Sequence, residues 1–484
     1  MCGIVGITGH PQASQEAFQS LLMLQHRGQD SAGILSADVE SGKLHLHREM
    51  GQVSEVFGPE ALSRLQGRTA LGHTRYSTIG SVKEEDLQPM VAAMPVGLGL
   101  VHNGNVSNFE AVREKMLSEG RFFLSDNDLE FFLHFIADEF QNPASQESSH
   151  SVFAALTRAV ARIHREIEGG YSVIGTISGR GLFGFRDPHA IRPLILGRKK
   201  NPESEIAQFG EYRHILTSET GPMKFLGYEI VRDLEPGELI WIPSLAKDGA
   251  PLQTTRLDSR EAKPCMFEWV YFSGADSTLE GRNVYQTRLR LGEALARVIP
   301  EDLEIDFVCP VPDTSRPAAI ALAEKLAKPF REVLIKNRYV QRSFILPRQD
   351  KRELVVSRKF SVVEELVRGK SILLVDDSIV RGTTSRKIVD LLREHGARRV
   401  YMASTCPPIE EPCFYGIDFP DHRELIAFQR NASQIADEIH ADRVFYTSVA
   451  DLKDALSLPG FCGACITGEY PYGRPRAARE GVAP

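Results

Sequence analysis

The hydrophobic pattern changes character once along the chain, and that change limits the folds open to it. Up to Ile242, short apolar runs alternate with turn-forming clusters, at 2–8, 69–73, 97–102, 172–177, 181–185 and 238–242. Many short strands with few helices predict a layered α+β domain. Residues 243–264 carry Ser, Lys, Asp, Gly, Thr, Arg and Pro without apolar periodicity and read as a linker or surface excursion. Beyond it, strand and helix alternate: a strand over 305–311 and a helix over 317–326, then a strand over 371–375, a helix over 384–395 and a strand over 400–404. That order predicts an α/β domain whose parallel sheet binds its ligand at the carboxyl ends of the strands. Because 484 residues exceed what one hydrophobic core serves, two domains are expected. The expected bounds are 2–245 for the first domain, 246–264 for the linker and 265–455 for the second domain. A C-terminal segment over 456–484 follows, with a poorly ordered tail after Pro471.

Charge and cysteine usage narrow the functions. A formal net charge of -7 argues against nucleic-acid binding, which needs a surplus of Lys and Arg on some face. With no apolar run of about eighteen residues and no signal-peptide pattern, the expected setting is the cytoplasm, away from membranes. Seven cysteines in a reducing compartment point to chemistry or metal binding rather than disulfides.

Residue 2 is one of those cysteines. Removal of Met1 would leave its thiol beside its own α-amino group, whose reference pKa of about 7.7–8.0 suits a base near neutral pH. By position alone, a small buried apolar residue is the simpler account. Its surroundings argue otherwise. Cys2-Gly3-Ile4-Val5-Gly6 opens a strand, and His26-Arg27-Gly28-Gln29-Asp30-Ser31-Ala32-Gly33 follows a helix-like segment. Gly72-His73-Thr74-Arg75-Tyr76-Ser77-Thr78 and His102-Asn103-Gly104-Asn105 each end an apolar run. Together these strings resemble the glutamine amidotransferases with an N-terminal nucleophile, across essentially the whole first domain. The resemblance implies an αββα layered fold and a thiolate that attacks the amide carbon of glutamine, with release of ammonia and hydrolysis of the thioester. It further implies an oxyanion hole made by the Asn103 side chain and the Gly104 N–H, with Arg75 gripping the substrate carboxylate and Asp128 its ammonium. His26 and His73 are expected only as structural hydrogen-bonders, since an N-terminal nucleophile carries its own base.

In the second half, the string from Ser371 to Ser385 runs an apolar strand into Asp376 and Asp377, then a Gly/Thr/Ser loop that opens a helix. Backbone N–H groups and hydroxyls there suit a 5′-phosphate, and the carboxylates suit ribose hydroxyls or a hydrated Mg²⁺. An ordinary helix cap and a nucleotidase P-loop are the alternatives, and the Gly-x4-Gly-Lys-Ser/Thr pattern of the latter is absent. The string resembles the phosphoribosyl pyrophosphate signature of type I phosphoribosyltransferases. That likeness implies ligand contacts from Asp376, Asp377, Ser378, Arg381, Gly382, Thr383, Thr384 and Ser385. One Mg²⁺ would sit near Ser315, Asp376 and Asp377, with Ser315 in the pyrophosphate turn over 311–316. A mobile lid would begin around Lys336, Arg338 and Tyr339; its alternative is a solvated basic loop.

With both halves in one chain, the resemblance is to the amidophosphoribosyltransferase family. It implies ammonia displacing pyrophosphate from phosphoribosyl pyrophosphate to give phosphoribosylamine, the committed step of purine synthesis. It also implies glutamine as nitrogen donor, purine nucleotides as feedback inhibitors, and a homotetramer. Two departures stand out: Ser273-Gly274-Ala275 replaces the family's Ala-Arg-Pro, and Ser357 replaces an arginine in the lid. Cys265, Cys413, Cys462 and Cys465 match cysteines of the family's cluster-bearing branch, which implies one [4Fe–4S] cluster. A four-thiolate zinc site and inert buried thiols are the alternatives, Cys406 could replace Cys413, and Cys309 is expected in the core of its strand. Two rival functions follow from the same residues: another N-terminal-cysteine amidotransferase, or a regulator that senses phosphoribosyl pyrophosphate without turnover.

Overall fold

The computed structural model describes residues 1–38, 41–76, 83–244, 251–337, 360–419 and 421–475. Two antiparallel sheets form the first half. One has seven strands in the order Glu229–Asp233, Ile195–Lys200, Tyr212–Thr217, Gly3–Thr8, Thr69–Arg75, Ser31–Ala37, Leu44–Met50. The other has six: Gln253–Arg256, Glu238–Pro243, Gly181–Arg186, Gly169–Ile177, Leu98–Val106, Met90–Ala92. Side chains in a strand alternate between faces, and here both faces are apolar. Ile4, Leu35, Leu71, Val101 and Ile174 meet in the core between the sheets. Their neighbours Val5, Ile34 and Ala70 turn outward to the helix Ala13–Met23, and Leu100 and Val173 to the helices Leu129–Glu139 and Ser149–Glu166. The result is the expected helix–sheet–sheet–helix stack.

The second half holds a four-stranded, all-parallel sheet in the order Phe307–Pro310, Ser371–Asp376, Arg399–Ser404, Arg443–Tyr446. Ile372 and Leu374 face Ile388, Val389 and Leu392 of the helix Thr383–Glu394. Leu373 and Val375 face Ala318, Ala319 and Leu322 of the helix Arg316–Lys325. Every strand end predicted from sequence lies within a few residues of the observed one. Cys309 is fully buried in its strand, as expected.

The expected linker is corrected in part. Gln253–Arg256 is a strand that pairs Thr255 with Leu239 and Thr254 with Ile240 at the edge of the six-stranded sheet. An edge strand half open to solvent can be polar throughout, so it left no apolar period to find. Residues 260–265 then lie against the first domain, where Arg260, Lys263 and Cys265 donate their N–H groups to Pro188, His189 and Ile191 carbonyls. Ahead of the expected tail the Tyr470 hydroxyl donates to the Pro412 carbonyl at 2.8 Å; within it the Tyr472 N–H donates to the Tyr415 hydroxyl at 3.2 Å, and residues 476–484 lie outside the described residues. Among the described residues, no helix is long and apolar enough to cross a membrane.

Candidate active sites

Cys2 directly precedes the strand Gly3–Thr8, which is hydrogen-bonded on both sides and therefore rigid. Its N–H donates to Asn103 Oδ1 at 3.0 Å, and its carbonyl accepts from Arg27 Nε at 3.0 Å. Asn103 is fully buried, and its Nδ2 has no hydrogen-bond partner among the described residues. A buried donor left unpaired costs about 1–3 kcal/mol, so an amide held that way beside a thiol is a donor awaiting a ligand. Gly104 follows with φ +152°, and a Cβ there would lie 2.1 Å from the Gly170 carbonyl oxygen and 2.6 Å from Tyr171 Cα. Only glycine fits.

The proposed substrate clamp is more occupied than the sequence suggested. Arg75 ends its strand and donates to the Asp86 carbonyl, with Asp86 Oδ2 3.9 Å away. Asp128 is not a free carboxylate: its Oδ1 lies 3.0 Å from His102 Nε2 and its Oδ2 accepts the Val106 N–H at 3.0 Å. Burial alone would raise the Asp128 pKa, but His102 and the Val106 N–H hold it below the ordinary range. Burial likewise opposes charge on His102, and Asp128 overrides it. Of the two other histidines, His26 is a structural hydrogen-bonder as expected, 2.9 Å from Glu219. His73 is fully buried against the His102 backbone, and burial, ahead of the charges of His102 and Arg75, holds its pKa well below the ordinary value.

A buried charge network, unmarked by any local motif, joins this site to the second half. Arg27 Nη1 donates to Glu219 Oε1 at 2.6 Å and to Glu268 Oε2 at 2.9 Å, while Nη2 donates to Glu268 Oε1 at 3.0 Å. The departure at Ser273-Gly274 closes the network: Ser273 Oγ donates to Glu268 at 2.8 Å and the Gly274 N–H to Glu219 at 2.8 Å. Arg288 holds the Trp269, Tyr271 and Ser273 carbonyls at 2.9, 3.1 and 2.8 Å. Burial brings its pKa down to about 10 against the pull of Asp377 and Glu219.

At the other end, Asp376 closes the central parallel strand and its Oδ1 accepts the Asp377 N–H at 3.0 Å. Burial, then the neighbouring Asp377, pushes the Asp376 carboxyl well above its ordinary pKa. Two adjacent acids in that state suit a cation or a set of hydroxyl donors. Ser378 Oγ donates to Asp377 at 3.0 Å, Gly382 (φ +71°) caps the helix Thr383–Glu394, Thr383 and Thr384 are exposed, and Ser385 is buried. Two of the expected ligands have partners within the chain. Arg381 Nε donates to Glu424 at 2.9 Å and its Nη2 to the Asp418 carbonyl at 3.0 Å, because those acids line the facing loop. Ser315 is a buried residue whose hydroxyl donates to the Val311 carbonyl at 2.7 Å, capping its own turn. Lys336 pairs with Asp313 at 2.9 Å, and Arg338, Tyr339 and Ser357 lie outside the described residues.

The four expected cluster cysteines come from three chain segments. Cys462 accepts the Met266 N–H at 3.2 Å and donates to the Pro264 carbonyl at 2.9 Å, which sets it beside Cys265. The Cys465 carbonyl accepts the Glu410 and Glu411 N–H groups, and Cys413 Sγ accepts the Tyr415 N–H at 3.4 Å. Cys265, Cys462 and Cys465 are buried, and no disulfide forms among the described residues. Burial raises the thiol pKa of all three, that of Cys265 to about 11, and the neighbouring cysteines add to it. Cys406 is buried and faces Cys465 as well. Four soft donors with an N–H···S contact fit a cluster in chemistry. Among the described residues, no three His, Cys, Asp or Glu groups stand close enough to hold a single metal ion.

Residues 45–156 match the glutamine amidotransferase domain family, and residues 282–415 match the phosphoribosyl transferase domain family. The class is therefore that of glutamine-dependent phosphoribosyl amidotransferases, in which an ammonia source and a ribose-phosphate site share one chain. Over 98% of its length the chain is 39% identical to the amidophosphoribosyltransferase of Haemophilus influenzae, covering 93% of that protein. It is 40% identical to that of Escherichia coli over 94% of the chain, covering 88% of the relative. A solved structure of glutamine phosphoribosylpyrophosphate amidotransferase from B. subtilis, complexed with ADP and GMP, superposes with a TM-score of 0.83 at 36% identity, covering 97% of both chains. This chain belongs to the amidophosphoribosyltransferase family, the enzymes that use glutamine and phosphoribosyl pyrophosphate in the first step of purine biosynthesis.

Proposed function

We propose that Cys2 hydrolyses glutamine and that the ammonia reacts with phosphoribosyl pyrophosphate held over Asp376 and Asp377. The observation that carries the assignment is the buried Nδ2 of Asn103, without a partner among the described residues, beside a Cys2 whose N–H its Oδ1 already accepts. Once Met1 is removed, that nitrogen is the α-amine and takes the thiol proton. The thiolate bonds to the amide carbon of glutamine, and the oxyanion is received by Asn103 Nδ2 and the Gly104 N–H. As the C–N bond breaks, the nitrogen receives the proton held on the α-amine and leaves as ammonia. Water then hydrolyses the thioester to glutamate through the same hole. Arg75 takes the α-carboxylate of glutamine and Asp128, oriented by His102, its ammonium.

In the second site, ammonia forms a C–N bond at the anomeric carbon while the C–O bond to pyrophosphate breaks, and the nitrogen sheds a proton. N–H groups at the start of the Thr383–Glu394 helix, with the Ser378, Thr383 and Thr384 hydroxyls, receive the 5′-phosphate. Asp376 and Asp377 receive ribose hydroxyls or the waters of a Mg²⁺, which would neutralise the departing pyrophosphate. Lys336 marks the base of a lid over that site. Asp376→Asn should lower pyrophosphate release about 10²-fold with glutamine and with ammonia alike. Loss with glutamine alone would remove these acids from the role.

Cys265, Cys413, Cys462 and Cys465 are the proposed holders of one [4Fe–4S] cluster, which would tie the chain end to the second domain. Protein purified without oxygen is expected to contain iron and acid-labile sulfide in near-equal amounts; zinc without sulfide would decide for a four-thiolate zinc site. The B. subtilis relative with ADP and GMP supports purine nucleotides as inhibitors. A cytoplasmic homotetramer completes the proposal.

A further inference from the structure

We propose that Asn105 and Arg192 are positioning residues that fasten the turn over 414–416 against the back of Gly104 and so hold the oxyanion hole in shape. The inference rests on Asn103 and Gly104 being the oxyanion donors. On one side Gly104 is gripped by the neighbouring strand, where it pairs with Tyr171. On the other side lies Gly416 (φ +97°), where a Cβ would stand only 3.2 Å from the Gly104 carbonyl carbon and 3.3 Å from its oxygen. Two side chains hold that turn in place. Asn105 Nδ2 donates to the Phe414 carbonyl at 3.0 Å, across 309 positions of sequence. The Nη2 of the fully buried Arg192 donates to the Tyr415 carbonyl.

Arg192 also reaches the hole from behind. Its carbonyl accepts the Ser172 hydroxyl at 3.0 Å and Arg186 Nε at 2.8 Å, and Ser172 pairs with Asn103 across the strands. Its Nη1 stands 3.7 Å from Glu268, the acid that grips Arg27 and through it the Cys2 carbonyl. Both oxyanion donors and the nucleophile's own carbonyl are therefore anchored to the same turn and its buried cation. Such anchoring matters because a shift of about 1 Å in a group that meets the transition state can cost about 10²-fold in rate.

The test compares Asn105→Ala with wild type in three measurements: glutamine-dependent turnover, ammonia-dependent turnover, and affinity for the γ-aldehyde analogue of glutamine. That aldehyde adds to the thiol and places its oxygen in the hole. Asn105→Ala should lower glutamine kcat about 10-fold or more and weaken the aldehyde by a similar factor. Glutamine KM and ammonia-dependent turnover should stay within about twofold of wild type, since neither needs the hole. Unchanged aldehyde affinity, or equal loss with both nitrogen donors, overturns the proposal. Should Asn105→Ala fail to fold, Gly416→Ala pushes on Gly104 from the same side and must show the same split. Asn103→Ala is the reference: if it keeps full aldehyde affinity, the oxyanion assignment itself falls. If it loses affinity while Asn105→Ala does not, only the anchoring falls.

Discussion

Cys2→Ala should lose glutamine-dependent pyrophosphate release by about 10³-fold or more and keep release driven by ammonia at the wild-type level. The size follows from removing a nucleophile outright, since hydrogen bonds to a carbonyl cannot replace the missing bond. The selectivity follows from placement: Cys2 lies at the start of the central strand of an antiparallel sheet, whereas Asp376 and Asp377 lie at the end of a strand of the parallel sheet in the other half. The buried network through Arg27, Glu219 and Glu268 links the Cys2 carbonyl with the second half, and alanine at position 2 leaves that carbonyl in place. The measurement is initial-rate pyrophosphate release with each nitrogen donor. Equal loss with both would mean that the two sites do not divide the labour.

Arg27→Met should destabilise the fold by about 3–5 kcal/mol, because it strands two acids where water cannot reach them. Arg27 is buried, as are Glu219 and Glu268. Burial works against the charge on Arg27, yet Glu268 and Glu219 outweigh it and raise its pKa. Burial would raise the Glu219 pKa, but His26 and Arg27 hold it far below the ordinary carboxylate range. A depressed carboxyl pKa contributes stability above the unfolded value of about 4.3, and that stability is lost as pH falls below it. Urea unfolding midpoints of wild type and Arg27→Met should therefore differ most at neutral pH and converge in acid below about pH 4. A gap that is constant with pH would show that lost packing, not lost charge pairing, governs the variant.

Much of this was legible in the sequence because it is local. Strand runs of 2–8, 172–177 and 371–375 announce themselves by continuous apolar residues, and the Asp376–Ser385 loop by acids and small residues at a strand end. Contacts between distant segments were not legible. Glu219 and Glu268 stand 192 and 241 positions from Arg27, and no spacing rule reaches that far. The same holds for His102 against Asp128: a histidine in a strand gives no sign of the helix terminus it will face. Nor does the sequence around Arg381 and Ser315 announce their partners within the chain, Glu424, the Asp418 carbonyl and the Val311 carbonyl. The strand at 253–256 was hidden by its polarity, since an edge position needs hydrogen bonds more than apolar side chains.

The docking of Tyr470 and Tyr472 onto Pro412 and Tyr415 puts the segment that carries Cys462 and Cys465 one residue away from the glycine that touches Gly104. Loosening that segment is therefore expected to be felt in glutamine turnover as well as in stability, although it shares no strand with the first half.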